Sequence, residues 1–237
     1  MNGALALAAS AAAALAVAAD PSAPIAFSSL SPGELKPPWR ALNIAKVKPA
    51  EIALVADEGA TVLRVRAAAA SGSAGYAVDA SARGLSLAWR WKIDRVVEGA
   101  DLAQKSGDDF AARVYVFFDV PPGDLPFGTR FKLKLLEILY GERLPTAAIC
   151  YVWDNRHPIG TSRWNPYSER VRTVVLRSGN AEAGHWMAER RDLEADFREA
   201  FAAAAPRVSG IAAGNDTDQT GETVTAWFGD FRLEPRR

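Results

Sequence analysis

Few residues in this sequence could do chemistry. Two histidines, His157 and His185, and one cysteine, Cys150, leave little for a zinc centre or a histidine-rich catalytic site. No G-x-S-x-G, P-loop, H-E-x-x-H or paired C-x-x-C run occurs. His157 lies in the polar stretch Asp154–Tyr167 with Arg156, Arg163 and Trp164, between two strand-like runs. A long loop held by a rigid sheet is where binding and catalytic groups concentrate. An enzyme built on this chain would pair His157 with Tyr115 or Tyr151 for proton transfer, because imidazole titrates near neutrality. Arg113 would then neutralise a substrate carboxylate. Cys150, on the small-residue face of a strand, reads as a buried and inert thiol.

Two acidic loops could hold a cation. In Asn215-Asp216-Thr217-Asp218-Gln219-Thr220-Gly221, oxygen-bearing side chains alternate around a glycine, as Ca²⁺ requires. Asp216 and Asp218 are the candidate ligands of a structural calcium, the one cofactor the residues suggest. The loop lacks the spacing and terminal Glu of an EF-hand, and a self-capped β-turn explains the same composition. Gly107-Asp108-Asp109 is a second acidic pair, and the metal reading gains if the fold brings the two together.

The middle third is aromatic and basic. Between Gly128 and Arg172 there are eight Lys or Arg against four Asp or Glu, interleaved with Tyr140, Tyr151, Trp153, Trp164 and Tyr167. Aromatic faces stack on sugar rings, and arginine forks pair with carboxylates or sulfates. An outward row of Arg113, Tyr115, Tyr151 and Trp153, joined by Arg156, would make a groove for an anionic saccharide. The alternative is that the aromatics fill a second core layer with arginine stems laid over them.

These residues need strands to position them. Leu85–Asp94 alternates cleanly, with Leu85, Leu87, Trp89, Trp91 and Ile93 on one face. Phe110–Val120 puts Ala112, Val114, Val116 and Phe118 on a core face and Arg113, Tyr115 and Phe117 on the other. Ala147–Trp153 repeats the pattern. Glu51–Asp57 and Thr61–Arg66 read as a hairpin about Glu58-Gly59-Ala60, Val171–Arg177 and Thr223–Leu233 as further strands, and Ile25–Phe27 as a short extended edge. Ser71–Gly75 reads as a flexible loop. Asp192–Ala204 predicts a helix, with Leu193, Phe197 and Phe201 four apart and Asp192 as its cap. The type of Phe131–Tyr140 is left open by its pattern. Many short strands with one clear helix predict a mostly β, antiparallel sandwich or jelly roll with one or two short helices.

Residues 4–19 are apolar, uncharged and Ala-rich, and end in small residues before Asp20-Pro21. That is the expectation for a signal peptide over residues 1–19, leaving one domain over 20–237 in a periplasmic or secreted protein. No other stretch could cross a bilayer. Lys+Arg and Asp+Glu both total 28, which argues against a general nucleic-acid binder.

Leu85–Asp94 (LSLAWRWKID), Lys105–Asp119 (KSGDDFAARVYVFFD), Tyr151–Asn155 (YVWDN), Glu189–Phe201 and Gly210–Phe231 (GIAAGNDTDQTGETVTAWFGDF) resemble a bacterial family known as domain of unknown function 3047. The likeness covers nearly everything after residue 19 and implies no particular activity. The opening Phe27 to Trp39-Arg40 and the closing strand Ala226–Leu233 are also similar in layout to carbohydrate-binding sandwich modules, a likeness of fold alone. The readings carried forward are a binder of a saccharide or other envelope polymer, an enzyme (a lyase or hydrolase) acting on an anionic polysaccharide, and a periplasmic interaction protein without a small ligand.

Overall fold

Residues 23–121, 123 and 146–236 are described in a computed structural model of the chain. The Ala-rich start, the Phe131–Tyr140 run, Arg130 and Arg143 lie outside them. The described strands are β1 (Arg40–Leu42), β2 (Glu51–Asp57), β3 (Ala60–Ala68), β4 (Ser71–Ser81), β5 (Leu85–Ile93), β6 (Phe110–Asp119), β7 (Ala147–Asp154), β8 (Ser162–Asn165), β9 (Ser168–Ser178), β10 (Met187–Asp192), β11 (Arg207–Asp216), β12 (Thr223–Phe228) and β13 (Arg232–Pro235). One α-helix, α1 (Leu193–Phe201), lies among them.

The strands form two sheets packed face to face. One is seven-stranded in the order β1-β4-β11-β6-β7-β9-β8; the other runs β10-β5-β12-β3-β2, with β13 beside β5. All pairings are antiparallel except β7 with β9. The mostly β, antiparallel sandwich expected from the sequence is therefore the observed fold.

Period-two alternation decides what meets in the middle. Leu87, Trp89, Trp91 and Ile93 of β5 are buried, while Arg90 and Lys92 between them are partly buried. They meet Ala112, Val114, Val116 and Phe118 of β6 and Ile149, Tyr151 and Trp153 of β7 in one apolar core. Trp89 packs on Tyr151 with ring centroids 5.5 Å apart, and Trp91 on Trp153 at 5.8 Å. Helix α1 adds Leu193 and Phe197, and Phe118 packs on Phe197 with tilted rings at 4.7 Å. Asp192 caps it by accepting from the N–H groups of Glu194 and Ala195.

Three local expectations change. Ser71–Gly75 is the start of β4, not a loop, and it pairs with β11. The pairing is close: a Cβ at Gly214 would fall 2.1 Å from the carbonyl oxygen of Gly72. Small residues here let two backbones approach, which a composition reading takes for flexibility. Thr223–Leu233 divides into β12 and β13. Phe27 opens a 3-10 turn (Phe27–Ser29) and is buried against Trp39 at 4.5 Å, so Ile25–Phe27 is an anchor and not an edge strand.

Candidate functional site

The residues singled out on β6 and β7 fall on opposite faces of the seven-stranded sheet. Tyr115 pairs with Cys150 and Arg113 with Val152, and directly opposed residues share a face. Tyr151 and Trp153 therefore point the other way, into the core between the sheets. The Tyr151 hydroxyl donates to Asp196 at 2.6 Å, and the Arg191 guanidinium grips the same carboxylate. Trp153 donates from Nε1 to the carbonyl of Gly179 at 3.0 Å. Arg113, Tyr115, Tyr151 and Trp153 thus form no shared outward row, and all four are buried. Of the expected ligand-binding set only Arg156 is exposed, where it pairs with Asp101 at 3.0 Å.

Arg113 and Tyr115 instead enter a buried polar cluster at one end of the sheet. The Arg113 guanidinium reaches Asp216 Oδ1 at 2.6 Å, lies 3.8 Å from Asp108, donates to the Tyr115 hydroxyl at 3.0 Å and donates to the carbonyl of Asp108. Asp108 also accepts from Asn165 at 2.9 Å. Burial pushes the carboxyls of Asp108 and Asp216 up, opposed by Arg113, and the neighbouring carboxylates add to that rise. Arg113 is held well above its ordinary value: burial works against its charge, but Asp216, Tyr115 and Asp108 outweigh it. Burial also raises the Tyr115 phenol and pushes the Cys150 thiol up to about 12. Neither is a nucleophile or base near neutral pH.

The two acidic loops do converge. Asp109, Asp216 and Asp218 each offer an oxygen, all within 4.8 Å of one another. Asp109 also ties the loops, accepting from the backbone N–H groups of Gln219 at 3.1 Å and Thr220 at 2.7 Å. Burial raises the Asp218 carboxyl too, with Asp109 adding to it. An all-oxygen set of clustered carboxylates suits a hard cation such as Ca²⁺. Asp109, placed by the end of the Gly107 turn, was visible in the sequence only as half of an acidic pair.

His157 takes part in neither cluster. Its Nδ1 lies 3.0 Å from Oδ1 of the buried Asp154, which also accepts from the backbone N–H of Arg156 at 2.8 Å and of His157 at 2.6 Å. Tyr115 and Tyr151 have other partners, so the expected His–Tyr pairing is replaced by a His–Asp pairing.

Trp164 is the exposed large aromatic among the described residues, at 38%. It sits on β8, the short edge strand of the seven-stranded sheet, beside exposed Arg163. The guanidinium of Arg172, its cross-strand partner, lies 4.9 Å from the ring, and Phe201 of α1 meets it edge-on at 5.4 Å. Arg170 stacks on Phe201 at 5.5 Å. The aromatic and basic composition of the middle third thus has a solvent-facing outlet, on β8 and β9 and not on β6 and β7.

Residues 37–232 match the family described as a protein of unknown function, DUF3047. No curated protein matches the chain. Among solved structures, it is similar to the xyloglucanase domain of NopAA, a type three effector from Sinorhizobium fredii, at 9% identity and a TM-score of 0.45, over 86% of this chain and 96% of that one. It is also similar to endoglucanase cel12A from Rhodothermus marinus at 9% identity and 0.44, over 82% and 90%. The family 30 carbohydrate-binding module of a cellulosomal cellulase from Clostridium thermocellum follows at 10% identity and 0.39, over 89% and 96%. Likeness this distant assigns no ligand and no residue role. Among the described residues no helix is long and apolar enough to cross a membrane.

Proposed function

The chain belongs to the DUF3047 family, and for this member we propose an exported β-sandwich that binds a saccharide or related envelope polymer at the Trp164 edge of its seven-stranded sheet. The observation that carries the reading is the exposed Trp164 indole, backed by the Arg172 guanidinium and flanked by Arg163. An indole held from one side offers a stacking platform that loses little side-chain freedom on binding. Arginine forks around it favour a chain bearing carboxylates or sulfates. The Ala-rich apolar start supports export. A structural Ca²⁺ at Asp109, Asp216 and Asp218 belongs to the same reading, because it would supply positive charge to a carboxylate cluster that Arg113 alone does not match.

A glycan-array screen tests the binding claim. A saturable hit on acidic glycans that Trp164→Ala abolishes supports it; a clean negative leaves the interaction-protein reading in its place.

One observation favours an enzyme as the second reading. The buried Asp154 carboxylate fixes the His157 ring through Nδ1, the arrangement that orients a general base. On this reading His157→Ala abolishes turnover of the bound polymer and leaves binding and folding intact.

A further inference from the structure

The solvent face of the six-stranded sheet carries a second concentration of cations and indoles, away from the Trp164 edge. Lys92 of β5, Trp227 of β12 and Arg64 of β3 lie in one cross-strand row, since Trp227 pairs with both Lys92 and Arg64. Arg90 stands one same-face position along β5 from Lys92. Adjacent strands are about 4.8 Å apart and alternate residues about 7 Å, so Arg64 and Arg90 bracket a patch roughly 12 Å across. Trp186, immediately before β10, floors it: the Arg90 guanidinium lies 4.4 Å from its ring centroid and Lys92 Nζ 5.0 Å. Lys92 Nζ is also 5.1 Å from the Trp227 ring.

The charges on this face are unevenly matched. Lys92 pairs with Asp57, and Arg66 with Glu51. Arg64 and Arg90 pair with no carboxylate among the described residues. Arg64 Nε and Trp186 Nε1 are both shielded from solvent with no acceptor, and buried donors of this kind are ordinarily satisfied. Gly229 makes room for the arrangement, for a Cβ there would fall 2.5 Å from Arg90 Cγ and 2.7 Å from its Nε. Two guanidinium groups without a carboxylate partner, beside two indoles on a rigid sheet, describe an anion-seeking surface. A merely solvated strand face would spread its arginines among acids, as Arg66 and Glu51 do.

We infer that this face is a second ligand site, one that takes an anionic sugar chain: Arg64 and Arg90 hold its carboxylates or sulfates, and the indoles of Trp186 and Trp227 supply the apolar floor. The inference stands whether or not the Trp164 edge binds.

Calorimetric titration of the full chain with oligogalacturonate and with dextran sulfate, using cellohexaose as the neutral control, tests it. Binding of either anionic probe, weakening with salt, absent for cellohexaose and reduced about tenfold or more by Arg64→Ala with Arg90→Ala, is the expected result. The paired Arg64→Gln and Arg90→Gln variant repeats the loss with the stems kept, which separates lost charge from lost packing. Trp164→Ala should leave this binding in place. The inference is overturned if neither anionic probe binds, if the paired arginine variants bind as tightly as the parent, or if Trp164→Ala alone removes the binding.

Discussion

Trp153 and Trp164 belong to the same aromatic, arginine-rich stretch and have opposite fates. Trp153 is 1% exposed, packed on Trp91, with its Nε1 hydrogen satisfied by a backbone carbonyl. Trp164 is 38% exposed on an edge strand, propped by Arg172 and Phe201. Two arginines of the same sheet differ in the same sense: Arg113 is locked among buried aspartates, whereas Arg172 covers a ring at the surface. The difference lies in sheet position. A central strand such as β7 has both faces covered, so either alternation phase ends in a core. An edge strand leaves one side open to water.

The largest effect should come from separating the two tryptophans. Trp153→Ala is expected to cost about 3–5 kcal/mol in urea denaturation, as large core truncations do. Trp164→Ala should stay within about 1 kcal/mol while removing the glycan binding at its own edge. Equal costs would erase the distinction between core and platform.

The arginines repeat the test. Arg113→Met leaves Asp216 and Asp108 buried without their cation and should destabilise by about 3–5 kcal/mol. Arg172→Met, at a half-exposed ring contact, should cost about 1 kcal/mol or less.

Calcium sharpens the buried side of the comparison. If the cation neutralises Asp109, Asp216 and Asp218, saturation at about 100 times Kd should add about 2.7 kcal/mol, read as a higher melting temperature. Asp218→Asn should remove most of that shift, and a melting curve indifferent to calcium and to chelator would exclude the site.

The smallest effect concerns the helix that supplies Phe201 to the Trp164 edge. Asp192→Ala should cost about 1 kcal/mol through the lost cap. Burial opposes the charge on Asp192, but the N–H donors of Ala195 and Glu194 and the Arg236 guanidinium hold its carboxyl below the ordinary range. A lowered carboxyl stabilises the fold above its unfolded value, and that contribution is lost as pH falls through the folded one. The gap between variant and parent should therefore narrow in strong acid.

The sequence made the alternating strands legible because one face of each is plainly apolar, and β5 follows that pattern residue by residue. Helix α1 was equally clear, since Asp192, Leu193, Phe197 and Phe201 agree on cap and face. What stayed hidden was the pair β4 and β11. Their Gly, Ala and Ser residues resemble a loop in composition, yet they pack backbone on backbone in the middle of the seven-stranded sheet. Register explains the displaced groove: Tyr115 and Tyr151 each alternate correctly within their own strands, but only pairing shows that Tyr115 opposes Cys150. The meeting of Asp109 with Asp216 and Asp218 was visible only as a condition, because the loops are more than a hundred residues apart and β11 beside β6 brings them together.

The most direct test of the Trp164 platform is a glycan-array comparison of the parent protein with Trp164→Ala, both checked for the same melting temperature. The account predicts that at least one saturable acidic-glycan signal of the parent is lost in the variant, whatever signal the Arg64 and Arg90 face retains. An identical array profile for the two folded proteins would contradict it.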